Sequence, residues 1–184
     1  MPCENKVTLL SLNNTMCRST STGFVASPIT AMHHLEKQYL ATDYECAVHE
    51  TIFHDVPIDQ PHKTVGIDNV KPLAHSLVKL KRDISLVPLF APDLVARADL
   101  MDTTAAAYKV TAQWALAIHQ SRPDADGLIW TSKRCDPQQA LLLFGDRVSE
   151  SDLIAVSRTP IYTSVDEMKH IVEFAGRIAI DLVL

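Results

Sequence analysis

The sequence predicts a single compact α+β domain. A chain of 184 residues is the usual size of one domain. Its hydrophobic fraction of 47% and charged fraction of 21% are ordinary for a globular protein and suffice for a core without disulfides or metals. Strand-like and helix-like segments are interleaved without the regular spacing of βαβ units, so a doubly wound sheet is as compatible with the pattern as a segregated arrangement.

The first predicted elements are a strand, a loop, a strand and a helix. The apolar run over residues 7–12 predicts a strand, and the Ser-, Thr- and Asn-rich residues 13–28 are typical of a loop. A short strand over residues 38–41 leads into a helix, because Thr42 and Glu45 have the spacing of a capping box. Positions at helical spacing predict the buried face of this helix: Tyr44, Ala47, Val48 and Thr51.

In the middle of the chain, Pro57 and Pro61 end that helix, and residues 57–66 are typical of a linker loop. Residues 70–81 carry leucines at helical spacing, which predicts a second helix. Residues 84–89 predict a strand.

The second half of the chain begins with a long helix over residues 105–120, capped by Thr103 or Thr104. A turn around Pro123 and Asp124 follows. The remaining predicted elements are strands over residues 128–131, 140–144 and 177–184 and a helix over residues 165–173.

Charge and cysteine usage favour a reduced, cytoplasmic protein without direct nucleic-acid contacts. The net charge of -5 gives no global support for binding a phosphate backbone. The basic cluster Lys79, Lys81 and Arg82 is followed by Asp83 and lacks interleaved aromatic residues, which favours a solvated helix end. The cysteines Cys3, Cys17, Cys46 and Cys135 form no CxxC pair, so neither a zinc knuckle nor a disulfide framework is expected.

No targeting or membrane segment is expected. The N-terminal residues lack a basic region followed by a sustained apolar stretch, and the longest apolar runs are too short to span a bilayer.

Common metal and nucleotide motifs are absent from the sequence. His49 and Glu50 begin like an HExxH motif, but Phe53 stands at the position of the second histidine. His54 lies five residues after His49, roughly 140° around a helix, so the two imidazoles cannot face one metal. His33 and His34 have no acidic partner at ligand spacing. We therefore expect no metal site, and no GxSxG, Walker or GxGxxG string is present.

Polar residues at the ends of apolar segments are the candidate site residues. Tyr39 lies in a strand that leads into the helix carrying Glu50, and Ser132 ends another strand. From periodicity alone, a core aromatic, a solvated helix residue and a turn former are the better explanations of Tyr39, Glu50 and Ser132. A thiol hydrolase using Cys46 or Cys135 is an alternative, although a lone cysteine is more often a small apolar packing residue.

Several segments resemble motifs of the RES domain family. The first is YLAT at residues 39–42, followed by AVHETIFHD at residues 47–55. The second is DGLIWTSKR at residues 126–134, closed by LFGDRV at residues 143–148. Tyr108, Thr111, Trp114 and Ala115 between them fit one branch of the family. The order and spacing of these strings make the resemblance specific, and it implies one RES-type domain over residues 1–184 with core motifs at about residues 28–148.

The resemblance implies a fold similar to ADP-ribosyltransferases and the function of a toxin that depletes NAD+. Such a protein cleaves the nicotinamide–ribose bond by hydrolysis or phosphorolysis, or transfers ADP-ribose to a target. NAD+ is then the substrate, and no cofactor is implied. The implied partner is an antitoxin with an Xre-like helix-turn-helix, and a homodimer is compatible with the family.

The resemblance also assigns residues. The family glutamate maps to Glu50, the serine to Ser132 and the tyrosine to Tyr39. Tyr39 would stack on nicotinamide, and Ser132 would hydrogen-bond to the nicotinamide side or help to shape the pocket. Glu50 would stabilise the oxocarbenium-like charge. Val25 stands where the family has an arginine, and Arg18 is the nearest substitute as a pyrophosphate clamp. A non-catalytic RES-like binding module is therefore the second hypothesis.

Overall fold

A mixed β-sheet forms the centre of the protein. The computed structural model describes residues 6–12, 37–57, 60–90 and 105–183. The strands in these residues are β1 (Lys6–Leu12), β2 (Lys37–Ala41), β3 (Lys63–Gly66), β4 (Leu73–Leu80), β5 (Leu86–Leu89), β6 (Gly127–Thr131), β7 (Gln139–Phe144), β8 (Leu153–Pro160) and β9 (Ile180–Val183). The helices are α1 (Tyr44–His49), α2 (Ala105–Ser121) and α3 (Val165–Arg177).

Seven of these strands form one sheet in the order β5-β6-β7-β2-β1-β4-β8. Neighbouring strands are antiparallel except β5 and β6, which run parallel, as a connection through the long helix α2 requires. The strands β3 and β9 form a separate parallel pair. The predicted α+β class is thus confirmed.

Both faces of the sheet are buried along β7. Leu141 and Leu143 pack on one face with residues such as Val78. Leu142 and Phe144 pack on the other face, with Ala115 of α2. This two-sided burial explains why the sequence of β7 is almost continuously apolar.

A further core cluster surrounds α1 and α3. Its largest members are fully or almost fully buried: Phe53, Ile171 and Phe174. This cluster includes Cys46 and Val48 of α1, and therefore holds that short helix against α3 and the sheet. Packing of this kind stabilises a helix too short to persist alone.

The predicted helix over residues 70–81 is wrong, because these residues form β4. Ala74, Ser76 and Val78 are buried at alternate positions, which is the periodicity of a strand. The strand pairs with β1 on one side and β8 on the other, and these ladders override the helical spacing of the leucines. The basic cluster Lys79, Lys81 and Arg82 consequently lies at the end of a strand.

The start of α1 also differs from the prediction. Asp43 is the N-cap, since its Oδ1 accepts a hydrogen bond of 2.8 Å from the backbone N–H of Cys46. The Thr42 hydroxyl instead binds Gln139 of β7. The helix ends at His49, so Thr51 is exposed rather than part of the buried face.

Besides β4, two more of the described strands were not predicted. Residues 57–66, expected to be a loop, contain β3, and no element was predicted where β8 lies. The strands and helices predicted over residues 7–12, 38–41, 84–89, 105–120, 128–131, 140–144, 165–173 and 177–184 are confirmed within a few residues at their ends. The predicted loop over residues 13–28, the cap at Thr103 or Thr104, and His33 and His34 lie outside the described residues. Within the described ranges, no helix is both long and apolar enough to cross a membrane.

Candidate functional site

Glu50 lies at the C-terminal end of α1. It is the C-cap residue, and its backbone N–H donates a hydrogen bond of 2.9 Å to the carbonyl of Cys46. Its side chain is half-buried. In the part of the chain that the structure describes, no hydrogen bond or ion pair engages its carboxylate. The carboxylate is thus positioned by the helix but left without a protein partner there.

Ser132 directly follows β6 and opens the tight loop that leads to β7. Its backbone N–H donates to the carbonyl of Gln138 at 2.8 Å, and its carbonyl accepts a bond of 3.3 Å from the N–H of Cys135. The side chain is 0% exposed, and its hydroxyl has no hydrogen-bond partner among the described residues. An unsatisfied buried hydroxyl costs about 1–3 kcal/mol, so a group of this kind calls for an explanation.

Cys46 connects these two residues. Its Sγ donates to the carbonyl of Gln139 at 3.7 Å, which anchors α1 on the start of β7. Burial, the nearby Cys135 and the carboxylate of Glu50 together raise the pKa of this thiol to about 12. Glu50 follows Cys46 by one helical turn, and Ser132 donates its backbone N–H to Gln138, the neighbour of the residue that binds the Cys46 thiol. The structure therefore places the segments that carry Glu50 and Ser132, which lie far apart in sequence, against each other.

Arg134 links the loop after Ser132 to the turn that follows Glu50. Its Nη1 donates to the carbonyls of Phe53 and Val56, at 2.8 and 2.7 Å. These bonds are partly buried, and a charged donor makes them stronger than bonds between neutral groups. Arg134 thereby fixes the distance between the two segments that carry Glu50 and Ser132.

The two histidines near this site contact other side chains of the protein. His49 is buried, with Phe53 and Phe174 in edge contact with its ring. Burial lowers its pKa, and the charge of Arg134 lowers it further. His54 pairs with Asp55 at 2.8 Å. In the described ranges, no group of three or more His, Cys, Asp or Glu side chains is arranged to hold a metal ion.

The other predicted site residues are described only in part or not at all. Tyr39 belongs to β2, where its backbone pairs in register with Leu142 of β7. In the sheet, β7 lies between β2, which carries Tyr39, and β6, which ends just before Ser132. Its side chain lies outside the described part of the structure, as do Arg18 and Val25. Their predicted roles stay predictions.

Sequence reasoning missed the positions that join the site together. Arg134 stood in a matching string, but nothing in its spacing indicated that it binds the carbonyls of Phe53 and Val56. Cys46 was weighed as a nucleophile or as a packing residue. Its complete burial and raised pKa disfavour a thiolate at neutral pH, which favours packing.

Comparisons with known proteins identify the family and a similar fold. The family model for the RES domain matches residues 38–164, which include Tyr39, Glu50 and Ser132. None of the curated proteins matches the chain in sequence. A chain in the crystal structure of the M. tuberculosis MbcT–MbcA toxin–antitoxin complex has a similar fold, with a TM-score of 0.54 and 10% sequence identity. The similarity covers 84% of this chain and 82% of that chain.

Proposed function

Because the chain belongs to the RES domain family, we propose that it is the toxin of a toxin–antitoxin pair and that it degrades NAD+. The similarity in fold to a chain of a toxin–antitoxin complex supports the first part. The second part is supported by the meeting of the segments that carry Glu50 and Ser132, where the Cys46 thiol binds Gln139 and the N–H of Ser132 binds Gln138. This convergence is the observation on which the proposal depends, since no local pattern in the sequence requires it.

In the proposed reaction, the bond between the nicotinamide nitrogen and the ribose C1 breaks, and its electron pair leaves with nicotinamide. Glu50 holds a ribose hydroxyl and stabilises the positive charge that develops at C1. Its carboxylate suits this role because it is half-buried and has no other described partner. Water, phosphate or a nucleophile of a target protein then attacks C1.

Ser132 and Tyr39 shape the nicotinamide side of the site in this proposal. The complete burial of Ser132 favours a role in shaping the loop over direct contact with substrate. Tyr39 offers an aromatic ring for stacking on nicotinamide. The partner we propose is an antitoxin with an Xre-like helix-turn-helix.

The test is release of nicotinamide from NAD+ by the purified chain and by its Glu50→Ala variant. Loss of transition-state stabilisation should lower the rate about 100-fold or more, by analogy with the removal of one preorganised electrostatic group. Because Glu50 ends a helix whose buried face is formed by other residues, the melting temperature should stay the same.

Glu173→Ala is the matched control. Glu173 lies on α3, with its side chain 63% exposed and only a 3.8 Å ion pair to Lys169. It should keep both activity and stability. Full nicotinamide release by Glu50→Ala would show that Glu50 has no part in the reaction.

A RES-like binding module without activity is the second candidate, and Val25 at the family's arginine position is the observation that favours it. In that case the chain with its native sequence binds an antitoxin but releases no nicotinamide. Copurification with a helix-turn-helix partner, measured beside NAD+ turnover, separates the two functions.

A further inference from the structure

Two thiols that the proposed reaction does not use lie beside Glu50 and Ser132. Cys46 is 0% exposed and anchored through its Sγ to the carbonyl of Gln139. Cys135 is half-buried and packs against the core cluster that contains Cys46. Both thiols are free.

The backbone around each thiol is held in place by hydrogen bonds. The N–H of Cys46 donates to Asp43 Oδ1 at 2.8 Å. On the opposing loop, the carbonyl of Cys135 accepts a bond of 2.8 Å from Gln138, and its N–H donates to Ser132. One thiol therefore belongs to the element that carries Glu50, and the other belongs to the loop that begins at Ser132.

We propose that Cys46 and Cys135 form an oxidisable dithiol site whose disulfide joins α1 to the loop after Ser132. Its reaction partner is a low-molecular-weight disulfide such as oxidised glutathione. The thiolate of Cys135, the more exposed thiol, attacks this disulfide and releases one glutathione thiolate. The thiolate of Cys46 then attacks the Cys135 sulfur and releases the second glutathione. Two protein thiols are oxidised, and one glutathione disulfide is reduced to two thiols.

The pKa values of the two thiols control the rate of this reaction. Burial raises the pKa of both, and the nearby Glu50 contributes to each shift. Because only the thiolate attacks, oxidation is slow at neutral pH and accelerates as the pH rises.

The disulfide would also control the proposed cleavage of NAD+, and this part of the inference rests on the proposed function. Forming it draws Cys46 Sγ away from the carbonyl of Gln139, its hydrogen-bond partner. Glu50 is the C-cap of the same helix, and Ser132 binds the backbone of Cys135, so both move with the linked sulfurs. The oxidised chain is the less active form.

The dithiol is tested on the full chain carrying Cys3→Ser and Cys17→Ser, incubated with oxidised glutathione at pH 8.5. Intact-mass analysis and peptide mapping should show loss of two hydrogen atoms and a Cys46–Cys135 link, with no glutathione retained. Cys46→Ser in this background is the matched control and should retain glutathione on Cys135. A stable glutathione adduct in the presence of both thiols, links only between chains, or no oxidation would each overturn the dithiol site.

Nicotinamide release by the reduced and oxidised chains separates this proposal from the proposed function. We expect at least a tenfold loss on oxidation that dithiothreitol reverses and that Cys135→Ser does not show. Equal activity in the two forms would overturn the proposed effect of oxidation on activity, but the dithiol site would stand. If the disulfide forms but neither the reduced nor the oxidised chain releases nicotinamide, the NAD+ function is refuted and the dithiol site stands.

Discussion

Asp126 joins the ends of three strands through one carboxylate. Arg82, just after β4, donates to its two oxygens at 2.8 and 3.1 Å, and the N–H of Ser85, just before β5, donates at 2.8 Å. Asp126 itself directly precedes β6. The bonds from Arg82 hold the pKa of this carboxyl below its usual value, with a further contribution from Ser85. The carboxylate therefore stabilises the edge of the sheet only in its charged form.

Replacing Asp126 by Asn should lower the free energy of unfolding by about 1–2 kcal/mol at pH 7, a value reduced for the exposure of Arg82. Since the folded pKa lies below the unfolded one, the stabilisation is present above about pH 4 and is lost as the pH falls through the folded pKa. Urea unfolding from pH 7 to pH 3 should show the two proteins converging in acid. Asp68→Asn is the control, because its pair with Lys71 is local and exposed and should contribute little. A difference that stays constant down to pH 3 would contradict this account.

Single residues show how far sequence reasoning reached. Glu50 and Ser132 were predicted as site residues because each stands in a string that resembles a family motif. The contacts of Arg134 with Phe53 and Val56 could not be assigned, since they join segments about eighty residues apart and depend on the folded backbone. The N-cap was misassigned to Thr42, whose hydroxyl is engaged by β7 and so is not free to cap the helix.

At the scale of elements, long-range pairing decided where prediction failed. β4 has leucines at helical spacing, yet it lies between β1 and β8 and forms ladders with both. β8 is an edge strand whose side chains are largely exposed, so it lacks the alternating apolar pattern by which strands are recognised. β6 and β7, with their nearly continuous apolar runs, were predicted correctly.

Gly127 opens β6 at a point of close backbone approach. A Cβ at this position would overlap the carbonyl oxygen of Leu142 in the neighbouring strand β7. Gly127→Ala should therefore displace a strand and lower the free energy of unfolding by about 1–3 kcal/mol. Gly176→Ala in α3 is the matched control, since nothing lies within 4 Å of its added Cβ and alanine favours the helix by about 0.5–1 kcal/mol. In thermal unfolding, the melting temperature should fall for Gly127→Ala and rise for Gly176→Ala. Equal melting temperatures would show that the sheet accommodates the extra methyl group.

At the scale of the whole molecule, the strand order brings the candidate site together. β2 and β6 both border β7, so α1, which follows β2, meets the loop that follows β6. This order requires a return across most of the chain, and local periodicity carries no information about it. The resemblance to a family supplied what the pattern could not.

Binding of NAD+ by the whole chain should also depend on a cation outside the described residues. The resemblance maps the arginine of the family to Val25, and it implies Arg18 as the nearest candidate cation in sequence. If Arg18 clamps the pyrophosphate, Arg18→Ala should raise the Kd for NAD+ about tenfold or more, since a charged hydrogen bond is worth about 1.5–3 kcal/mol. Calorimetric titration in a Glu50→Ala background measures this binding without turnover.

Val25→Arg distinguishes the two positions for the cation. Where the site has no clamp, the new guanidinium should lower the Kd, because its paired donors match the pyrophosphate oxygens. Where Arg18 already fills that role, Val25→Arg should leave the Kd unchanged or raise it by crowding. Lys169→Ala, which removes an exposed charge on α3, controls for the change in net charge. If no variant alters the Kd, the arginine assignment is wrong, and the binding module becomes the better account of a chain that keeps Glu50 and Ser132 together without a clamp for NAD+.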